Sequence, residues 1–153
     1  MMYAKGNDFI KDFVTRTKSN LAALGKGPYE VTQLINSMVG LLIIPEQKQY
    51  NSIINTLVDN VLFQKMINSI VVNTYKKSID LQQVCRHLRN AVAHSNLIFE
   101  AEKPAIIAQP LIIHYVTFSD SNVRTGEHIE IKLSVDLLKE FLMAFSDAVS
   151  NLP

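Results

Sequence analysis

One stretch constrains the chain more than any other: Asp80–Leu97, reading DLQQVCRHLRNAVAHSNL. A helix turns about 100° per residue. On that wheel Leu81, Val84, Cys85, Leu88, Ala91 and Val92 share one side, and Gln82, Gln83, Arg86, His87, Arg89, Asn90, Ala93 and His94 share the other. Asp80 can cap the start, with Gln83 at capping-box spacing. The apolar side belongs to a core. The polar side holds two histidines and two arginines, and it is this side that calls for a chemical reading.

Arg89 and His94 are five residues apart, so they stand about 140° apart on the wheel and do not stack as an i, i+4 pair would. They flank a face whose middle holds Ala93, Arg86 and Asn90. Ala93 is small enough to admit another surface. If the same face of a second copy packs there about a two-fold axis, each Arg89 approaches the partner's His94. The result is a composite pocket of guanidinium, imidazole and amide groups contributed by both chains.

At 153 residues the chain is read as one domain, 1–153, large enough to bury a substantial core. Hydrophobic residues make up 48% and charged residues 19%, which predicts an ordered globule. No apolar run reaches bilayer length. The opening MMYAKGNDF is not followed by a signal-peptide core. Cys85 is the single cysteine, on the apolar side of its helix. It reads as a small buried hydrophobe in a reducing cytosol rather than a nucleophile, so the expected location is cytoplasmic. A net charge of +1 argues against coating nucleic acid by bulk electrostatics, because each phosphate contact needs a cation. A local basic pocket built from Arg86, Arg89 and Lys76-Lys77 is compatible with it.

Taken in order, Phe9, Ile10, Phe13, Val14, Leu21 and Leu24 recur at helical spacing, with Asn7 or Asp8 as cap and Gly25-Lys26-Gly27-Pro28 as stop. A second helix runs from about Glu30 to Ile44, apolar through Val31, Leu34, Ile35, Met38, Val39, Leu41 and Leu42, and ended by Pro45. Gly40 inside it marks a close helix crossing, since glycine there costs up to about 1 kcal/mol. Asn36 on its polar side is a candidate for orienting the pocket or touching substrate. Pro45 opens a third helix with Ile53, Ile54, Leu57, Val58, Val61 and Leu62 as its buried stripe and Asp59-Asn60 as a break or bend. Phe63–Tyr75 continues in helical rhythm, although Ile70-Val71-Val72 is β-branched.

After Asn96 the period changes from near 3.6 to near 2. Leu97–Glu100 reads as a short strand. Pro104 and Pro110 bracket a loop. Ile112–Phe118 reads as a better strand, Asp120-Ser121-Asn122 and Thr125-Gly126-Glu127 punctuate a hairpin, and Ile129, Ile131 and Leu133 lie on a half-exposed return strand. Ser134 caps a final helix with Val135, Leu138, Phe141, Leu142, Phe145 and Val149 as its stripe. The expected fold is mainly α: a helical bundle with a small antiparallel β-rich insertion, 97–133, between the motif helix and the C-terminal helix.

Arg89-Asn90-Ala91-Val92-Ala93-His94 resembles the R-polar-x-x-x-H motif of HEPN domains, the "higher eukaryotes and prokaryotes nucleotide-binding" helical family. Tyr29–Gln47, YEVTQLINSMVGLLIIPEQ, is similar to a pEcr-like HEPN subgroup. The resemblance covers roughly the first two-thirds of the chain. It implies a HEPN-like bundle and a homodimeric, metal-independent endoribonuclease, a toxin or phage-defence effector in a toxin–antitoxin setting. RNA and an antitoxin or regulatory protein are the implied partners. No cofactor, metal or membrane is implied. HEPN toxins paired with a nucleotidyltransferase antitoxin often carry Tyr two positions after the histidine. Here that position is Asn96, so this form of control is not implied.

The chemistry suits these residue types. Metal-free RNA cleavage needs a base for the 2′-hydroxyl proton and cations for the charge that builds on the phosphate. Histidine suits the first, since its unperturbed pKa is about 6.5. Arginine suits the second, gripping phosphate oxygens through two N–H groups. The resemblance assigns His94 as base or acid, Arg89 as phosphate clamp and Asn90 as the group orienting the phosphate or the histidine. Arg86 and His87 are accessory substrate contacts. The products would be a 2′,3′-cyclic phosphate or 3′-phosphate and a 5′-hydroxyl. His87 and His94 lie two turns apart, about 10 Å along the axis, too far to share a metal ion. His114 and His128 have no carboxylate or cysteine constellation in sequence, and no metal site is expected. Two plainer readings stand beside this one. The domain is a non-catalytic HEPN-like module that binds RNA, a nucleotide or a partner protein, or a structural bundle in which His94 only bonds helix-end carbonyls and Arg89 faces solvent.

Overall fold

The structure, a computed structural model, describes residues 7–27, 29–43, 47–57, 61–102 and 111–151. Within them the order is α1 (Asn7–Ala23), α2 (Glu30–Ile43), α3 (Gln47–Leu57), α4 (Val61–Asn68), β1 (Ile70–Asn73), α5 (Leu81–Ala93), β2 (Leu97–Glu102), β3 (Ile112–Ser121), β4 (His128–Ser134) and α6 (Val135–Ser150). The fold is mainly helical with one small antiparallel sheet, as the patterning predicts. The readings of Pro28, Pro45, Val58, Asp59-Asn60, Pro104 and Pro110 fall outside the described residues, as do the side chains of Asn7, Asp8 and Phe9.

α6 is the central element, packed against α1, α2, α3 and the sheet. Its stripe of Val135, Leu138, Phe141, Leu142, Phe145 and Val149 is buried. Ser134 Oγ accepts the Leu137 N–H and so satisfies one of the orphan donors of the first turn. α1 crosses α2 at Gly40. A Cβ there would come within 2.5 Å of the Phe13 ring, so the missing side chain is what lets the two helices approach. Val39, expected on the apolar side of α2, is 41% exposed.

The sheet order is β1-β4-β3-β2, and here the helical reading of Phe63–Tyr75 is corrected. The helix stops at Asn68, and Ile70–Asn73 joins the far edge of the sheet, pairing Ile70 with Ile131 and Asn73 with Ile129. β-branched residues lose side-chain freedom in a helix and pack well on a pleated surface. At Ile70-Val71-Val72 that preference, supported by an available partner strand, overrides the helical rhythm. Three strands of the sheet thus lie between the motif helix and the C-terminal helix, and the fourth precedes both. Val61, expected to be buried, is 72% exposed at the start of α4.

β4 alternates between half-buried and buried, with Ile129, Ile131 and Leu133 facing the core. In β3, Val116 and Phe118 point the same way. Leu97 and Phe99 of β2 pair with Phe118 and Val116. α5 lies between α2 and β3, so its two long sides meet a helix and the sheet. That placement decides what happens to its polar face.

Candidate functional site

α5 begins as its sequence predicts. Asp80 Oδ1 accepts the Gln83 N–H at 2.8 Å, and Gln83 Oε1 accepts the Asp80 N–H at 3.2 Å, a complete capping box. Leu81, Val84, Cys85, Leu88 and Ala91 are buried, with Val92 packed at the margin of the core. Burial pushes the Cys85 thiol up to about 12, the nearby Asp80 charge adding to the effect.

The helix ends at the motif histidine. His94 occupies the C-cap, Ser95 takes a left-handed conformation with φ 56°, and Asn96 N–H returns to the Ala91 carbonyl at 2.8 Å while Ser95 N–H returns to Val92. This is the Schellman pattern, whose left-handed residue is usually glycine. The Ser119 N–H donates to the Asn96 carbonyl at 3.0 Å, which ties the helix end to β3. His94 is therefore held by backbone on both sides while its side chain is exposed. Its imidazole makes no hydrogen bond or ion pair among the described residues.

An open groove of about 1040 Å³ runs along α5, between it, the Tyr75–Ile79 segment and the β3–β4 turn. His94, Asn90, His87 and Arg86 line it together. Lys76, Lys77 and Arg124 add cations, against the carboxylates of Asp120 and Glu127. A chain that is almost neutral overall thus concentrates positive charge where the motif lies. Ser121, also in the lining, shares a 2.7 Å hydrogen bond with His128 Nδ1, and His128 Nε2 lies 3.0 Å from Glu130 Oε1.

Two of the expected site residues stand elsewhere. Arg89 is half-buried on the flank of α5, one turn from Cys85, and does not line the groove. Asn36 is exposed on α2 and does not line it either. The groove of one chain therefore gathers the motif's histidine and asparagine but not its arginine, as the 140° separation on the wheel requires.

His87 lies on the polar side of the wheel, but it is only 6% exposed because β3 covers that part of α5. Its Nδ1 donates to Asp120 Oδ2 at 2.7 Å, and Asn90 Nδ2 donates to the same oxygen at 3.1 Å. Tyr75 lies against the imidazole with ring centroids 4.9 Å apart. Burial, then the charges of Asp120 and Glu127, push the Tyr75 phenol above its ordinary range. Asp120 is the residue that sequence reasoning missed. It reads as a turn residue before Asn122, but β3 continues through Ser121. The signal was present: Asp120 follows Val116 and Phe118 at period 2, so it faces the core, where an acid needs a partner.

No helix among the described residues is long and apolar enough to cross a membrane. A family model described as HEPN pEK499 p136 matches residues 1–152, nearly the whole chain and more than the first two-thirds that carry the motif resemblance. The matching subgroup is this one, where Tyr29–Gln47 suggested a pEcr-like one. No curated protein matches, and no solved structure matches.

Proposed function

Because the chain belongs to the HEPN pEK499 p136 family, we propose that it is a metal-independent endoribonuclease acting as a homodimer, a toxin or defence effector in its setting. Family membership suggests a nuclease or RNA-binding module. The observation that carries the sharper reading is the exposed His94 imidazole, unbonded among the described residues, in a groove also lined by Arg86, Lys76, Lys77 and Arg124. An imidazole held for structure would be bonded to its own chain. This one is presented to a cationic surface that suits a phosphodiester backbone.

In this reading the groove cations hold the RNA phosphates. His94 takes the proton of the 2′-hydroxyl, the 2′-oxygen attacks phosphorus, and the 5′-oxygen leaves, giving a 2′,3′-cyclic phosphate. Asn90, anchored through one N–H to Asp120, keeps its carbonyl oxygen and second N–H to orient the phosphate or His94. Arg89, off the groove of its own chain, reaches His94 of the partner subunit across a two-fold axis and neutralises charge on the phosphate. Small, exposed Ala93 leaves room for that approach.

The test is RNA cleavage by wild type and by His94→Ala. Loss of one general acid–base group lowers the rate by about 10²–10⁴-fold, so His94→Ala is expected to be slower by that range with its fold unchanged by circular dichroism. Equal cleavage by both proteins would refute His94's role. RNA bound in the groove by both proteins but cut by neither would favour the second reading, a HEPN-like binding module. The observation favouring that alternative is that Arg89 is absent from the groove.

A further inference from the structure

His87 is buried, lines the groove and is bonded to an acid, an arrangement that the HEPN motif does not use. We infer that His87, held by Asp120, is the second proton-transfer group of the reaction, the acid that protonates the leaving 5′-oxygen. This rests on the reading of His94 as the base.

A carboxylate accepts hydrogen bonds, so in the 2.7 Å contact with Asp120 the donor is Nδ1–H of His87. The ring nitrogen left over is Nε2, which has no partner among the described residues although the side chain is more than nine-tenths buried. A buried polar atom without a partner is costly, and the groove is what His87 borders. A carboxylate on Nδ1 also orients an imidazole and balances the charge it carries when protonated on both nitrogens, the role an acid plays in a histidine–aspartate pair. Tyr75 holds the ring from a second side.

His94 follows His87 by seven positions, which places them within about 20° of the same direction and about 10 Å apart along the axis. In-line displacement asks for a similar separation. Each proton-transfer hydrogen bond spans about 2.8 Å, and the attacking and leaving oxygens lie about 5 Å apart across the phosphorus in a near-attack conformer. The axial spacing that is too long for one metal ion thus leaves room for one phosphodiester laid along α5.

The step balances. His94 accepts the 2′-hydroxyl proton as the 2′-oxygen bonds to phosphorus. The bond from phosphorus to the 5′-oxygen breaks with its electron pair on oxygen, and that oxygen takes the Nε2 proton of His87. The products are a 2′,3′-cyclic phosphate and a 5′-hydroxyl. His94 ends protonated and His87 neutral, and exchange with solvent restores both.

An acid is needed only when the leaving group is poor. The test compares dinucleotide cleavage with cleavage of uridine 3′-(p-nitrophenyl phosphate), whose phenolate leaves without a proton. The protein is full-length wild type, His87→Ala, His94→Ala and His87→Gln, the last keeping an N–H for Asp120. His87→Ala and His87→Gln are expected to lose about 10²-fold or more on the dinucleotide and under about threefold on the activated ester, which also shows that they fold. His94→Ala is expected to lose activity on both. An equal loss on both substrates in the His87 variants, or no loss on either, would overturn the acid role while leaving the nuclease reading intact. A wild type that cleaves neither substrate would overturn the nuclease reading and this inference with it.

Discussion

At the scale of single residues, burial and bonding separate groups that the sequence leaves alike. Cys85 and His87 are two positions apart on one helix, and both are buried. Cys85 is shut into the apolar core, and burial pushes its thiol up to about 12. At pH 8 the thiolate fraction is then on the order of 10⁻⁴, and it is the thiolate that reacts. A disulfide reagent at pH 8 is expected to label less than about 0.1 thiol per folded chain and the full single thiol after denaturation. Rapid labelling of the native protein would contradict this burial. His87 instead meets Asp120, so its burial is compensated by a charge-assisted hydrogen bond.

At the scale of elements, the account depends on α1, α2 and α5 being held in place. Gly40→Ala tests the first contact. Alanine gains up to about 1 kcal/mol of helix propensity, but its Cβ would sit 2.5 Å from Phe13, and overpacking costs about 1–3 kcal/mol. The expected result is net destabilisation by about 1 kcal/mol in urea melts. In a Phe13→Leu background the sign is expected to reverse. Stabilisation by Gly40→Ala alone would mean the crossing is looser than described. This close approach was legible in the sequence because an interior glycine costs propensity and so needs a reason. The same holds for the Asp80–Gln83 box, the Ser134 cap, and the period change after Asn96, all local signals. β1 was not legible in the same way, and Asp120 only in part, since its period-2 spacing with Val116 and Phe118 points it inward without naming its partners. Ile70–Asn73 becomes a strand only because β4 offers it a partner, and Asp120 becomes a buried ligand of His87 and Asn90 only because β3 packs on α5. Both outcomes depend on contacts distant in sequence, which helix periodicity and turn preferences do not carry. The burial of His87 was hidden for the same reason: the wheel locates a side chain around its helix but does not say what covers that side.

At the scale of the whole molecule, the groove of one chain holds His94, Asn90 and His87, while Arg89 lies on another flank. The proposed site is complete only when two copies meet. Arg89→Ala and His94→Ala are each expected to be inactive as pure dimers. Unfolded together and refolded, they form mixed dimers in which one of the two sites has both residues intact, since an isologous interface pairs each residue with the other chain. Activity is expected to return to as much as about a quarter of wild type by random pairing of the subunits. No recovery, from dimers shown to have exchanged, would place the whole site within one chain.

In the proposed reaction His94 and the groove cations cleave RNA by transesterification without a metal ion. Its most direct measurement is the chemistry of the ends that wild-type protein leaves on a defined RNA in excess EDTA. Undiminished cleavage is expected, with 2′,3′-cyclic phosphate appearing first, 3′-phosphate later, and 5′-hydroxyl on the other fragment. Cleavage that stops in EDTA, or that leaves 5′-phosphate and 3′-hydroxyl ends, would contradict it.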